Sequence, residues 1–483
     1  MEGSPIKRFV KFASTCAGKG LEALLLALVL APLSARADVV AGPAYSHFRL
    51  TLQAGERTES VGPLYYSDQM GDQTRWAIPP LMSWTHDRGV DSEEFDFLYP
   101  IITWDRFGEE YRFQILQLFN FAGGATQTDT NTHRFALFPL YMQQRSADKS
   151  KNYTSVLPFY GHLENRLFRD EIDFIMMPLW VKTLKRGVTT ENYVYPIFHR
   201  RHGSKLEGWQ AWPLVGRETK VPTVSTNHWG DAVPSPGHKS QFVLWPLFVD
   251  SHQGIGSTNP IHQQLSAPFY SFTRSPNRDS TSIPFLLGWT STTDREKKFH
   301  EIGAPWPFIV FRRGETATTS RVWPFYSHAT NQYLESSWYL WPIYKYNRFY
   351  DGETVDRDRT RILFFLYSDA TQRHLETGAV QRRRDCWPLF IHRQELDGNT
   401  RLQILALLEP LLPNSKSIER NYSHVWSLWR TEHNPNSRAS SQSLLWNLYR
   451  RDTSAERART SVFFGIIRCE KSGESSKWSF FGL

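Results

Sequence analysis

The chain has 483 residues, with 56 Lys and Arg against 48 Asp and Glu for a formal charge of +8, and it carries 18 Trp, 20 Tyr and 32 Phe. With 40% apolar and 22% charged residues it can bury a core, which excludes a disordered chain. The aromatic load favours strands and interfaces and argues against a mostly helical protein.

Residues 1–37 read as a secretory signal peptide. Lys7, Arg8, Lys11 and Lys19 make a positive n-region, and residues 21–33 form an apolar stretch broken only by Glu22. Ala35, Arg36 and Ala37 supply a small-x-small cleavage pattern, with the cut between Ala37 and Asp38. The apolar run is well short of the roughly 20 residues a spanning helix needs, and no later stretch reaches that length. Loss of this leader removes five basic and two acidic residues and leaves a charge of +5, mildly basic and no footprint for nucleic acid. Cys16 goes with it. Cys386 and Cys469 remain, either joined in a disulfide or as two free thiols, and neither has metal-ligating neighbours.

From about residue 62 to the C-terminus one short pattern recurs, W-P-[LF]-[FY] in its fullest form. It reads FPLY at Pro139, LPFY at Pro158, MPLW at Pro178, WPLF at Pro246 and Pro388, and WPFY at Pro324. Looser copies sit at Pro63, Pro80, Pro100 and Pro410, and the frame persists without proline at Gln117, Phe365, Ser427, Asn447 and Gly465. Centres are mostly 16 to 23 residues apart, and a wider gap holds a long loop at 217–240. The pattern is similar to the WPLF-type repeats of exported bacterial proteins, a resemblance from which no activity or ligand is carried over.

Residues around each core are extended, and five to ten polar residues with turn chemistry separate the cores. Such gaps are too short for parallel crossovers. The expectation is therefore an all-β single domain over 38–483, an antiparallel meander of about 20 strands with one strand per repeat. Proline then falls at mid-strand, where it would mark a shared bulge. Apolar residues on both sides of the core imply two covered faces. A sheet of that width should close into a β-barrel, with Tyr339, Tyr346 and Phe349 as girdle aromatics; a soluble propeller- or sandwich-like β-repeat is the alternative. An apolar core of four or five residues spans only roughly 15 Å, short of the apolar band of about 25 Å in a membrane barrel.

Candidate chemistry is sparse. His199, Arg200, Arg201 and His202 place two histidines three apart, but the arginines repel a cation and a strand would point the rings oppositely, so a solvated turn is expected. The Gly254, Gly256 and Gly203, Lys205 fragments lack the context of a phosphate loop. Two basic runs, Arg295, Lys297, Lys298 and Arg357, Arg359, Arg361, read as turns and are the candidate contacts for anionic glycan or lipopolysaccharide. Tyr344 to Tyr350 interleaves aromatics with cations, a platform pattern that the repeat itself explains. Adjacent acids at Glu93, Glu94 and Glu109, Glu110 would oppose each other on a strand, and no nucleophile or metalloprotease motif occurs. The sequence thus points to an exported, non-enzymatic envelope protein without cofactor or nucleic-acid partner. Its expected place is the outer membrane, as a pore or scaffold against lipid or lipopolysaccharide; a periplasmic or secreted module binding polysaccharide or protein is the alternative.

Overall fold

The computed structural model describes residues 42–481 apart from 63, 126–131, 227–230, 285–286 and 353. The leader at 1–37 and the junction at Ala37 and Asp38 lie outside the described residues. The chain is all-β. Its main sheet has 42 strands, each paired antiparallel with the next in sequence from Ser46–Arg49 to Ser475–Phe480. One small hairpin, Thr223–Thr226 with Ala232–Ser235, stands outside that sheet and occupies the region expected as a loop.

The repeat is a hairpin, so the expected strand number doubles and the proline moves. Strands are four to eight residues long, most of them six, or roughly 20 Å at the usual rise. Ala317–Val322 and Tyr326–Asn331 flank Trp323, Pro324 and Phe325, which form the turn. Proline cannot donate to a ladder, which is why it lies between strands rather than within one. Fifteen X–Pro bonds of the described residues are cis, Trp323–Pro324 among them, and proline sits at the third position of the turn. Where proline is missing the turn persists, with left-handed backbone at Leu445, Trp446 and Asn447 and at Phe463, Phe464 and Gly465.

Because every connection reverses the chain, successive turns fall on alternate edges of the ribbon. All the repeat cores lie on one edge. The other edge carries the polar turns, such as Arg186 with Gly187, Ser204 with Lys205, and 295–298. Side chains on the two faces between these edges are polar along many strands, but from Gln73–Ile78 to Thr132–Leu137 one face carries Trp76, Trp84, Phe95, Trp104, Phe113, Phe121 and Phe135 in one register row. In Val355–Ile362, Asp356, Asp358 and Thr360 take one face and Arg357, Arg359 and Arg361 the other.

Apolar burial is local. Tyr153, Leu163, Ile172, Phe174 and Val181 form one small cluster, with Met142 and Leu157 against it. Gly161 lies opposite Phe174 in register, and a Cβ there would meet the ring at 2.2 Å, so the aromatic covers the glycine. No ladder among the described residues joins the first strand to the last, and side chains of the two ends are in contact. The guanidinium of Arg450 lies 3.6 Å from the Phe48 ring centroid, and Asn447 donates to both oxygens of Glu59. Cys386 and Cys469 are free thiols.

Candidate functional site

The connection between strands Thr400–Ile404 and Trp429–Asn434 is long enough to hold two short helices, Lys416–Asn421 and Ser423–Trp426. Ser415 starts the first of them, its side chain accepting from the Ile418 N–H. Tyr422 donates to the Tyr99 carbonyl at 2.5 Å and the Tyr66 hydroxyl to the Arg420 carbonyl at 2.8 Å, so the helices bind the N-terminal strands.

Arg420 is the centre of this junction, only 4% exposed. Its Nε donates to Ser83 Oγ at 2.7 Å, and Nη1 to Thr85 Oγ1 and Glu94 Oε2, both at 2.8 Å. Its Nη2 pairs with Asp96, which Asn421 also reaches at 2.8 Å. Burial alone would ease a proton off this guanidinium, but Asp96 and Glu94 hold its pKa above the ordinary value.

Beside it, Arg57 grips Asp68 through two bonds of 2.6 and 2.9 Å and lies 4.4 Å from the Tyr66 ring centroid. Glu432 would be raised by burial, yet Arg430 and Arg401 bring it down to about 2. Glu419 is likewise lowered, against its burial, by Arg393 and Arg401. His424 packs against Tyr66 at 5.0 Å between centroids. Its pKa falls well below the usual range, first through burial and then through Arg57, Arg430, Arg401 and Arg75. The ring is neutral at pH 7.

These groups line a cavity of about 370 Å³. Its acids and bases are largely consumed by each other. Arg57 pairs with Asp68 and Arg430 with Glu432, while Glu409 accepts from the neutral groups of Gln403, Ser423 and Trp426. The arrangement locks two ends of a ribbon together. Sequence reading missed it because its members are 324 residues apart for Asp96 and Arg420; the one local signal was the helix-starting Ser415 after a loose core.

The candidate contact residues are not brought together. Arg295, Lys297 and Lys298 occupy a polar turn as expected, where Arg295 pairs with Asp279 and Lys298 with Glu315 at 2.7 Å. Arg357, Arg359 and Arg361 lie within a strand rather than a turn, because Asp and Thr alternate with them at strand period and complete both faces. Arg357 donates to Gln372 and Arg359 to Ser368, while Arg361 Nε has no hydrogen-bond partner among the described residues.

His199 and His202 are also on a strand, Phe198–Gly203, not a turn, and their three-residue spacing puts them on opposite faces. Two other clusters could offer metal ligands: Asp250, His252 and His262, and His162, Glu171 and Asp173. In the first, the imidazoles stack at 4.1 Å and His262 Nε2 lies 2.8 Å from Asp250, but Lys239 and Arg274 stand opposite the two histidines on the flanking strands. In the second, Lys182 reaches Asp173 at 3.6 Å. Cations beside both sets oppose binding of another. Of the adjacent acids, Glu94 joins Arg420 and Glu93 joins Arg106 at 3.2 Å. No protein-family model matches the chain, and no curated protein is similar to it.

Proposed function

We propose that the chain is an exported, non-enzymatic scaffold of a bacterial cell envelope, seated against outer-membrane lipid or lipopolysaccharide. The observation that carries this reading is the ribbon itself: one hairpin repeated along the chain, polar on both faces in strands such as Val355–Ile362 and locked end to end by ion pairs. Such a construction makes a long solvated wall and leaves little room for a reaction centre. It also bears on how the membrane is met. A strand that crosses lipid needs one apolar face over an apolar band of about 25 Å, and strands such as Val355–Ile362 have none. Strands of this kind would stand against a membrane rather than through it.

Fractionation tests the proposal. The expected result is a chain beginning at Asp38, recovered with the envelope and released from it by detergent or carbonate. Recovery in the cytoplasm with residues 1–37 intact would overturn it. A second reading, a soluble module that grips acidic glycan, draws on the unpartnered Arg361 Nε and on Lys345 opposite it in register. Retention on acidic polysaccharide resin, lost on changing Arg357, Arg359 and Arg361 to Gln, would favour that reading.

A further inference from the structure

While the opposite edge exposes large apolar side chains only at some turns, such as Leu167 and Phe168, the edge that carries the repeat cores is apolar at nearly every turn. Its turns expose large apolar side chains in succession, and the residue that follows proline is the tip. Phe159, Leu214, Phe269, Phe325 and Leu389 are 59–69% exposed at that position. Trp245, Trp306, Trp323, Trp341 and Trp446 stand beside such tips, each more than a third exposed. Single exposed apolar residues need no explanation, but a continuous line of them does.

In several turns along this edge the backbone N–H groups are already paired. In the turn of Leu340, Trp341, Pro342 and Ile343, Leu340 N–H bonds the Phe325 carbonyl and Trp341 N–H the Pro324 carbonyl, both at 2.7 Å. Ile343 N–H returns to Leu340 at 2.8 Å, and proline has no N–H to satisfy. The same set recurs at 176–179, 194–197 and 244–247, so these turns are bonded to the one before. Solvent-facing turns do not require this. A surface that leaves water does, since unpaired backbone groups in lipid are costly.

Over 76–135 a second apolar row, Trp76, Trp84, Phe95, Trp104, Phe113, Phe121 and Phe135, lies behind the one next to the turns, whereas in two stretches of the ribbon the apolar band is shallow. Behind the turns comes one register row on a single face: Trp180, Tyr193 and Phe198, and again Tyr326, Tyr339, Tyr344, Ile362 and Tyr367. One row deeper on that face stand Lys182, Glu191 and Arg200, or Tyr346, Thr360 and Asp369. In those two stretches turn plus one row is roughly 10 Å at about 3.3 Å per residue, the depth of the headgroup and upper acyl region. Trp and Tyr are the residues that favour this zone. On the opposite face, just behind the turns, Arg321, Lys345 and Arg361 form no ion pair among the described residues and are placed to meet lipid phosphate.

We infer that this edge is a membrane-docking rim, dipping into one leaflet of an anionic phospholipid bilayer while the strands stand in water above it. The inference deepens the envelope reading and rests on it only for the source of the membrane. A protein partner would require a patch of matching outline; a line of turns with paired backbone, shallow aromatics and cations behind suits a fluid surface.

The test is flotation of the purified chain, from Asp38 onward, with vesicles of phosphatidylethanolamine and phosphatidylglycerol in a 3:1 ratio. The wild type should float. The variant Phe159→Ser, Leu214→Ser, Phe269→Ser, Phe325→Ser, Leu389→Ser should lose binding at least tenfold with unchanged circular dichroism and melting, since these side chains are mostly exposed. Lipid brominated high on the acyl chain should quench the tryptophans more than lipid brominated near its end. Wild-type-like flotation of the variant, or stronger quenching by the deep bromines, would overturn the inference. So would a wild type that ignores vesicles yet self-associates through the rim, with the variant monomeric in sedimentation. Cellular fractionation is a separate measurement, so failure of export and failure of docking are told apart.

Discussion

The junction of the chain ends and the middle of the ribbon are made from the same hairpin, yet they are held differently. At the junction, strands from residues 46–107 meet strands from 380–462 across a charged interior, and Arg420, Asp96, Arg57 and Asp68 are satisfied almost wholly by each other. In the middle, the cluster around Leu163 and Phe174 is small, and most stabilisation comes from ladders and cross-strand pairs. A junction of buried charges is specific but brittle, because each partner depends on the others being in place. A ribbon of local hairpins is tolerant, since a fault is shared only with adjacent strands.

The largest expected effect is therefore at Arg420. Replacement by Met strands Asp96 and leaves Glu94 without its partner, and removing one member of a buried ion pair costs about 3–5 kcal/mol. Hydrogen exchange should show the loss in strands Tyr65–Met70 to Ser92–Phe97 and in the two helices, with 141–185 still protected. Equal loss of protection in both regions would erase the contrast. Gly161→Val probes the other side. Its Cβ would meet the Phe174 ring at 2.2 Å, and overpacking of that kind costs about 1–3 kcal/mol. Here 141–185 should open while the junction stays closed.

A third test uses protons. His424 stays neutral in the folded chain, its pKa held well below the unfolded value of about 6.5 by burial and nearby arginines. The unfolded chain takes up a proton below that value and the folded chain does not. Stability present above pH 6.5 is thus lost as pH falls beneath it, with a slope of at most about 1.4 kcal/mol per pH unit for one group. His424→Phe should flatten this slope in urea titrations at pH 7 and pH 5.5. Glu432, lowered to about 2, acts in a separate window: its contribution is present above the usual carboxylate range and fades between about pH 5 and 2.

Much of the ribbon was legible in the sequence and little of the junction was. The copies at Pro139, Pro158, Pro324 and Pro388 define the repeat, its antiparallel order and even its proline-free positions at Gln117 and Asn447. The error was local: Trp323 and Phe325 around Pro324 resemble the centre of a strand buried on both faces. An exposed turn rich in aromatics breaks the rule that turns are polar, and here that breach coincides with the proposed docking rim. Arg420 and Asp96 could not be paired from one sequence, because nothing local in either predicts a partner 324 residues away.

The smallest expected effect belongs to the residues that sequence reading favoured. Arg295 is half exposed and pairs with Asp279 across neighbouring polar turns. Water screens such a pair, and holding two long side chains in place costs entropy, so Arg295→Gln should change stability by less than about 1 kcal/mol. It lies on the edge opposite the rim, away from both the junction and the apolar turns. If the two edges divide their work as proposed, this variant should bind vesicles as the wild type does. Weakened vesicle binding would mean that polar turns contribute charge to docking, and that the contrast between the two edges is one of degree.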